Sequence, residues 1–138
     1  MTPVDQTTFG APGGNCFSAC VASILELPMS EVPYFMAPED WWPPFKDWCV
    51  KRGVYPFYMP EAIYPPAGYS IMCGPAPRRA IARPGVTYAS DAHHAVVARD
   101  GVIVHDPNPE RTGLVEAHDY VVLVPLAVRT FAPRPEAL

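Results

Sequence analysis

The segment from Gly10 to Pro28 constrains this chain most, because glycine and proline fix where its helix can start and stop. Gly10, Pro12, Gly13 and Gly14 forbid a helix and allow tight backbone turns. Directly after them Phe17, Cys20, Val21, Ile24 and Leu27 recur at helical spacing, and Pro28 closes the run. The pattern predicts an apolar helix over residues 16–27 with Cys16 in its first turn. A thiol placed there sits at the positive end of the helix dipole, among N–H groups that lack intrahelical partners. Both features favour the thiolate, which is the nucleophilic form. The alternative is a small buried cysteine opening a core helix. The helix alone does not choose between them.

The rest of the chain limits the setting. Its 138 residues suit one domain, residues 1–138, able to bury a core without staples. With 49% hydrophobic and 17% charged residues, disorder and coiled coil are both poor fits. The 19 prolines demand short elements and many fixed turns, against a long helical bundle. The net charge is −4 and no basic cluster exceeds Arg78-Arg79 or Lys51-Arg52, so no nucleic-acid partner is expected. The first 14 residues lack a secretion-signal pattern and no apolar run approaches a membrane span, so the expected compartment is the cytosol, with no membrane partner. There, four cysteines are expected as free thiols. A zinc site built from Cys16, Cys20 and a histidine is the metal alternative; the expectation is no metal and no cofactor.

Residues 1–15 read as an extended, turn-rich arm whose notable polar group is Gln6. Residues 30–35 read as a short helical turn or irregular segment, with Val32, Tyr34 and Phe35 covering the first helix. Asp40 is the expected N-cap of a second helix over 41–52, with Pro43 and Pro44 in its first turn and Gly53 as terminator. Trp41, Phe45, Trp48 and Cys49 form its apolar stripe, read as core. Strands are expected over 54–59, an edge because of Pro56, and over 68–73. Residues 74–92 form a long loop, followed by a hairpin of 94–99 and 102–106 around Asp100-Gly101. A nearly all-apolar strand over 120–126 is expected to be central, and residues 131–138 to fray.

The hairpin bears on the cysteine. His94 opens one of its strands and Asp106 ends the other, so the two lie side by side at one end of the sheet. Cys16, His94 and Asp106 then supply a nucleophile, a base and a group that orients the base. The thiolate attacks a carbonyl carbon, the imidazole carries the proton to the leaving amine, and the carboxylate fixes the ring and stabilises its charge.

The order Cys, distant His, then Asp on the next strand resembles that of papain-like cysteine peptidases. His94-Ala95-Val96 is similar to the start of the papain-type histidine strand, and Asp106-Pro107 to the Asp-Pro of bacteriocin leader peptidases, which cut after double glycine. Gly14-Asn15-Cys16 with Val104-His105-Asp106-Pro107 also resembles short uncharacterised bacterial and phage proteins of this class. The resemblance touches the first 25 or so residues and 93–108, and the papain context Cys-Gly-Ser-Cys-Trp is absent. It implies an α+β papain-like fold, with the cysteine helix packed on a small, mostly antiparallel sheet. It also implies thiol hydrolysis of a peptide or protein substrate, and an oxyanion hole to which Gln6 lends its amide. Asn15 is the other candidate amide, beside the Cys16 backbone N–H.

Other residues have plainer readings. Cys20 is expected in the core, His93 and His105 on faces turned away from the site, and His118 in solvent. His93, Arg78 and Arg79 are the candidates for lining a substrate cleft; the two arginines are otherwise simply solvated. Asp106-Pro107-Asn108-Pro109 read locally is a turn, and Gly13-Gly14 a hinge for the cysteine. The rival to an enzyme is a binding module of the same fold, with Trp41, Trp42, Tyr64 and Tyr69 as its surface.

Overall fold

The computed structural model describes residues 1–10, 13–36, 39–61, 64–77 and 92–126. The expectations for Arg78, Arg79, most of the 74–92 loop and the 131–138 tail lie outside these residues.

Among the described residues, two α-helices and a five-stranded antiparallel sheet make an α+β fold. Helix α1 (Cys16–Leu25) starts where the glycines end. It stops two residues sooner than the apolar spacing suggests, because Glu26 turns left-handed (φ 56°) and bonds its N–H to the Ala22 carbonyl. A 3₁₀ turn (Met29–Glu31) follows, and Val32 and Phe35 are buried beyond it while Tyr34 is exposed. Helix α2 (Trp42–Lys51) takes Pro43 and Pro44 in its first turn, where their missing N–H groups have no intrahelical partner to lose. Its N-cap is Trp41 and not Asp40, and no side chain caps it.

The strands are β1 (Val54–Pro60), β2 (Tyr69–Pro75), β3 (His93–Arg99), β4 (Val102–His105) and β5 (Asp119–Pro125), in the spatial order β1-β5-β2-β3-β4. The sheet is antiparallel at every pairing. Strand β1 is an edge, as Pro56 requires, and β5 returns to fill the interior place between β1 and β2. The β3–β4 hairpin turns at Asp100 (φ 52°) and Gly101 (φ 79°), the two left-handed residues of a type I′ turn.

Helix α1 packs on β3 and β2, and α2 on β1. Paired residues of an antiparallel sheet share a face, so Ile71, Ala95, Val97, Val121 and Leu123 all meet the helices. Met72, Val96, Ala98 and Tyr120 form a smaller cluster on the other face. Phe45 joins the layers. It is fully buried, edge-on to Phe17 at 5.2 Å and to Phe35 at 5.1 Å, with Trp41 and Trp42 at 5.9 and 5.6 Å. The apolar stripe of α2 therefore divides: Phe45 and Cys49 are core, whereas Trp41 and Trp48 are only partly buried. No helix among the described residues is long and apolar enough to cross a membrane.

Phe45→Ala would remove the ring that these aromatics share. The expected loss is about 3–5 kcal/mol of unfolding free energy, measured by urea denaturation.

Candidate active site

Cys16 is the first residue of α1, partly exposed, with its thiol unpaired to any other cysteine. Its position depends on a tight return of the arm. The Gly14 N–H donates to the Gly10 carbonyl at 2.9 Å, and a Cβ on Gly14 would stand 2.6 Å from that oxygen. Only glycine allows this approach. The Asn15 carboxamide oxygen accepts the N–H groups of Thr7 (2.9 Å) and Thr8 (3.0 Å), and its nitrogen donates to the Thr7 hydroxyl. Asn15 thus braces the arm, lines neither cavity described below, and makes no cap to the helix. Among the described residues its amide bonds Thr7 and Thr8.

The same return explains how Gln6, ten residues upstream, comes beside Cys16. Its backbone N–H donates to the Pro107 carbonyl at 2.9 Å, and its side-chain nitrogen to the Thr8 carbonyl at 3.0 Å. The bond to Thr8 identifies the nitrogen end and leaves it a second hydrogen. Gln6 is buried, its Oε1 has no partner among the described residues, and it lines a small cavity of about 60 Å³ with Gly14, Cys16, His94 and Asn108.

His94 and Asp106 meet as the hairpin requires. His94 Nε2 lies 2.6 Å from Asp106 Oδ1, with the residues only 7% and 4% exposed. The ring's other neighbour is Cys16, which with His94 lines that small cavity and a larger one described below, and whose side chain helps to raise the imidazole's pKa. Since Nε2 is taken by Asp106, Nδ1 is the nitrogen left for the thiol. Asp106 Oδ1 also accepts the Asn108 N–H (2.8 Å), and Oδ2 accepts the Gly113 N–H (2.6 Å). The Asp-Pro-Asn-Pro stretch is therefore a turn, and the turn is what fixes the carboxylate.

The electrostatics follow from these bonds. Burial alone pushes the imidazole down, but hydrogen bonds to Asp106 and Cys16 and the charge of both outweigh it, and His94 is raised to about 9. Burial pushes Asp106 up, and the His94 bond and charge with the Gly113 and Asn108 N–H groups carry it below the usual aspartate value. Cys20, fully buried in the core as its spacing suggests, is raised well above an ordinary thiol by desolvation, and neighbouring Cys16 adds to this.

The remaining histidines differ in part from expectation. Alternation puts His93 on the face of Ala95 and Val97, opposite to His94, yet both rings line both cavities beside Cys16. They sit at the end of β3, which pairs with β4 only over residues 97–99, so a ring on either face reaches the opening. His93 also meets the His118 ring edge-on at 5.8 Å, and His118 is only half solvated, bonded to Glu116 at 2.9 Å. His105 does face away: its Nε2 lies 2.9 Å from the Val4 carbonyl of the arm.

A larger cavity of about 420 Å³ opens on the other side of Cys16, walled by Phe17, Trp41, Trp42 and Tyr58 and floored by Cys73, Val121 and Asp119. The chain pattern gave no sign of Tyr58, Cys73 and Asp119 at this site, because they are joined only by the β1–β5 and β2–β5 pairings. Asn108, buried in the small cavity, was legible only as a turn residue. Of the aromatics of the rival binding surface, Trp41 and Trp42 line this cavity, whereas Tyr69 opens β2 at the end away from Cys73 and Tyr64 is 80% exposed. Among the described residues, no three His, Cys, Asp or Glu side chains are grouped to hold a metal ion.

No protein-family model, curated protein or solved structure matches the chain.

The depressed Asp106 gives stability a definite pH dependence. The unfolded chain takes up this proton first, near the ordinary aspartate value of about 3.9, so the contribution is fully present above that pH and is lost as pH falls from it through the lower folded value. Urea denaturation of wild type and Asp106→Asn between pH 6 and 3 should show a loss of about 1.5–3 kcal/mol in the variant at pH 6. The acid fall in stability should also be shallower in the variant.

Proposed function

We propose that this protein is a papain-like cysteine hydrolase that cleaves a peptide, isopeptide or related amide through a thiol acyl-enzyme. The observation that carries this reading is His94, which bonds the buried Asp106 carboxylate and stands with Cys16 at the edge of two cavities. The papain-like assignment is further supported by the order of parts: a nucleophile opening a helix that packs on an antiparallel sheet bearing the base and its carboxylate. Four unpaired thiols suit a cytosolic setting.

In this mechanism the Cys16 proton rests on His94, whose raised affinity for it comes from Asp106 and from the thiolate it faces. The thiolate attacks the amide carbon, and the oxygen takes the negative charge in the small cavity. There the Cys16 backbone N–H and the second hydrogen of the Gln6 amide are its donors. His94 gives its proton to the leaving amine as the C–N bond breaks, leaving a thioester. Water then gives a proton to His94 and attacks the thioester carbon, and the acid leaves as the Cys16 thiolate is restored. Asp106 keeps one ring nitrogen occupied throughout, so the other always faces the sulfur. No cofactor enters.

Iodoacetamide labelling, followed by intact mass and peptide mapping, tests this. At pH 6 Cys16 should label about tenfold or more faster than a free cysteine peptide. His94→Ala should remove that advantage, and buried Cys20 and Cys49 should stay unlabelled until the chain unfolds. A Cys16 that labels at the free-thiol rate, with or without His94, overturns the reading.

A further inference from the structure

We propose that the larger cavity beside Cys16 is a cation subsite. It would take a protonated amine or guanidinium, carried on an apolar stem, from the substrate whose amide Cys16 attacks. The proposal rests on the acyl-transfer reading above and names the substrate class for that site.

The walls are aromatic and continuous. Trp41 and Trp42 meet at 5.5 Å with an interplanar angle of 77°, and Trp42 meets Tyr58 at 5.8 Å and 58°. Rings set at such angles form a corner that holds a stem against their faces and attracts a cation to their electron density. Asp119 is the carboxylate of this cavity. The Tyr58 hydroxyl donates to its Oδ2 at 2.8 Å, and Cys73 is the partner of Asp119 across the β2–β5 ladder. Both partners are neutral. The Asp119 hydrogen bond, burial and the Asp119 charge push the Tyr58 phenol up to about 12, so the phenol keeps its proton and stays a donor to the carboxylate. Cys73, raised chiefly by burial, keeps its proton too.

Among the described residues no lysine or arginine pairs with Asp119. A neutral apolar group would fill the walls but leave that carboxylate partly desolvated without a counter-charge, and an anionic group would be repelled by it. A lysine- or arginine-like group satisfies both halves of the cavity: stem on the indoles, charge on Asp119. The volume of about 420 Å³ falls within the range of small-molecule sites.

The test uses Cys16 as its own reporter. Two methanethiosulfonates, one carrying a trimethylammonioethyl and one a sulfonatoethyl group, label Cys16, each rate being divided by that for a free cysteine peptide. Peptide mapping scores Cys73 separately. The referenced cation-to-anion ratio should be about fivefold in wild type, should fall to about one in Asp119→Asn, and should persist in Asp119→Glu and Tyr58→Phe. A wild-type ratio at or below one, or a ratio unchanged in folded Asp119→Asn, overturns the proposal. Wild type alone gives a second readout should the variant not fold. Benzylammonium should slow iodoacetamide labelling of Cys16 saturably and phenylacetate should not; equal effects overturn the proposal. A His94-dependent iodoacetamide rate without charge preference would sink the cation subsite alone, whereas loss of that rate would sink the acyl-transfer reading beneath it.

Discussion

The bond between His94 and Asp106 is the constraint on which the rest of this structure depends. A carboxylate and an imidazole taken out of water together are costly unless each finds its partners, and here the turn that follows Asp106 supplies them to the carboxylate. Gly113 and Asn108 supply N–H groups to the carboxylate, and the Asp106 backbone carbonyl accepts from the Arg111 guanidinium. Arg111 in turn pairs with Asp5 of the arm, whose neighbour Gln6 bonds Pro107. Thr2 and Val4 tie the start of the arm to Ser23 of α1. The helix that carries Cys16 and the turn that carries Asp106 are thus held to each other through the arm as well as through the sheet.

Part of this was legible in the sequence. Glycines before Cys16 and the turn Asp100-Gly101 each fix a local geometry with few alternatives, so the start of α1 and the nearness of His94 and Asp106 could be read directly. The hairpin nevertheless holds a detail that no turn rule reports. Plain counting through a two-residue turn sets Val97 opposite Val104, but a bulge between Val97 and Ala98 pairs Val97 with His105 instead. Carried one residue on, that register sets Asp106 opposite Val96, on the face of His94, where plain counting would set it opposite Ala95. The bulge is what lets the carboxylate meet the ring, and it sends His105 to the face of the arm.

What sequence spacing could not supply were the contacts made by strands far apart in the chain. Asp119 follows Tyr58 by 61 residues, and only the return of β5 between β1 and β2 sets them and Cys73 on one face. The aromatic stripe of α2 shows the same limit. Period alone marks Trp41 and Phe45 as apolar, while the end of the sheet decides that Phe45 is sealed and Trp41 faces a cavity. The Asp40 cap failed for a nearer reason: Trp41 itself, already helical in its backbone (φ −84°, ψ −17°), takes the capping place, one residue beyond Asp40.

The proposed chemistry depends on the charge of His94. Burial alone would push this imidazole toward its neutral form, and Asp106 and Cys16 are what raise it. The ring carbon and nitrogen shifts of His94, followed by NMR across pH in wild type and Cys16→Ala, read this directly. The account predicts titration near 9 in wild type and a clear fall in the variant. Titration at or below the ordinary histidine value of about 6.5, indifferent to the loss of Cys16, would contradict it.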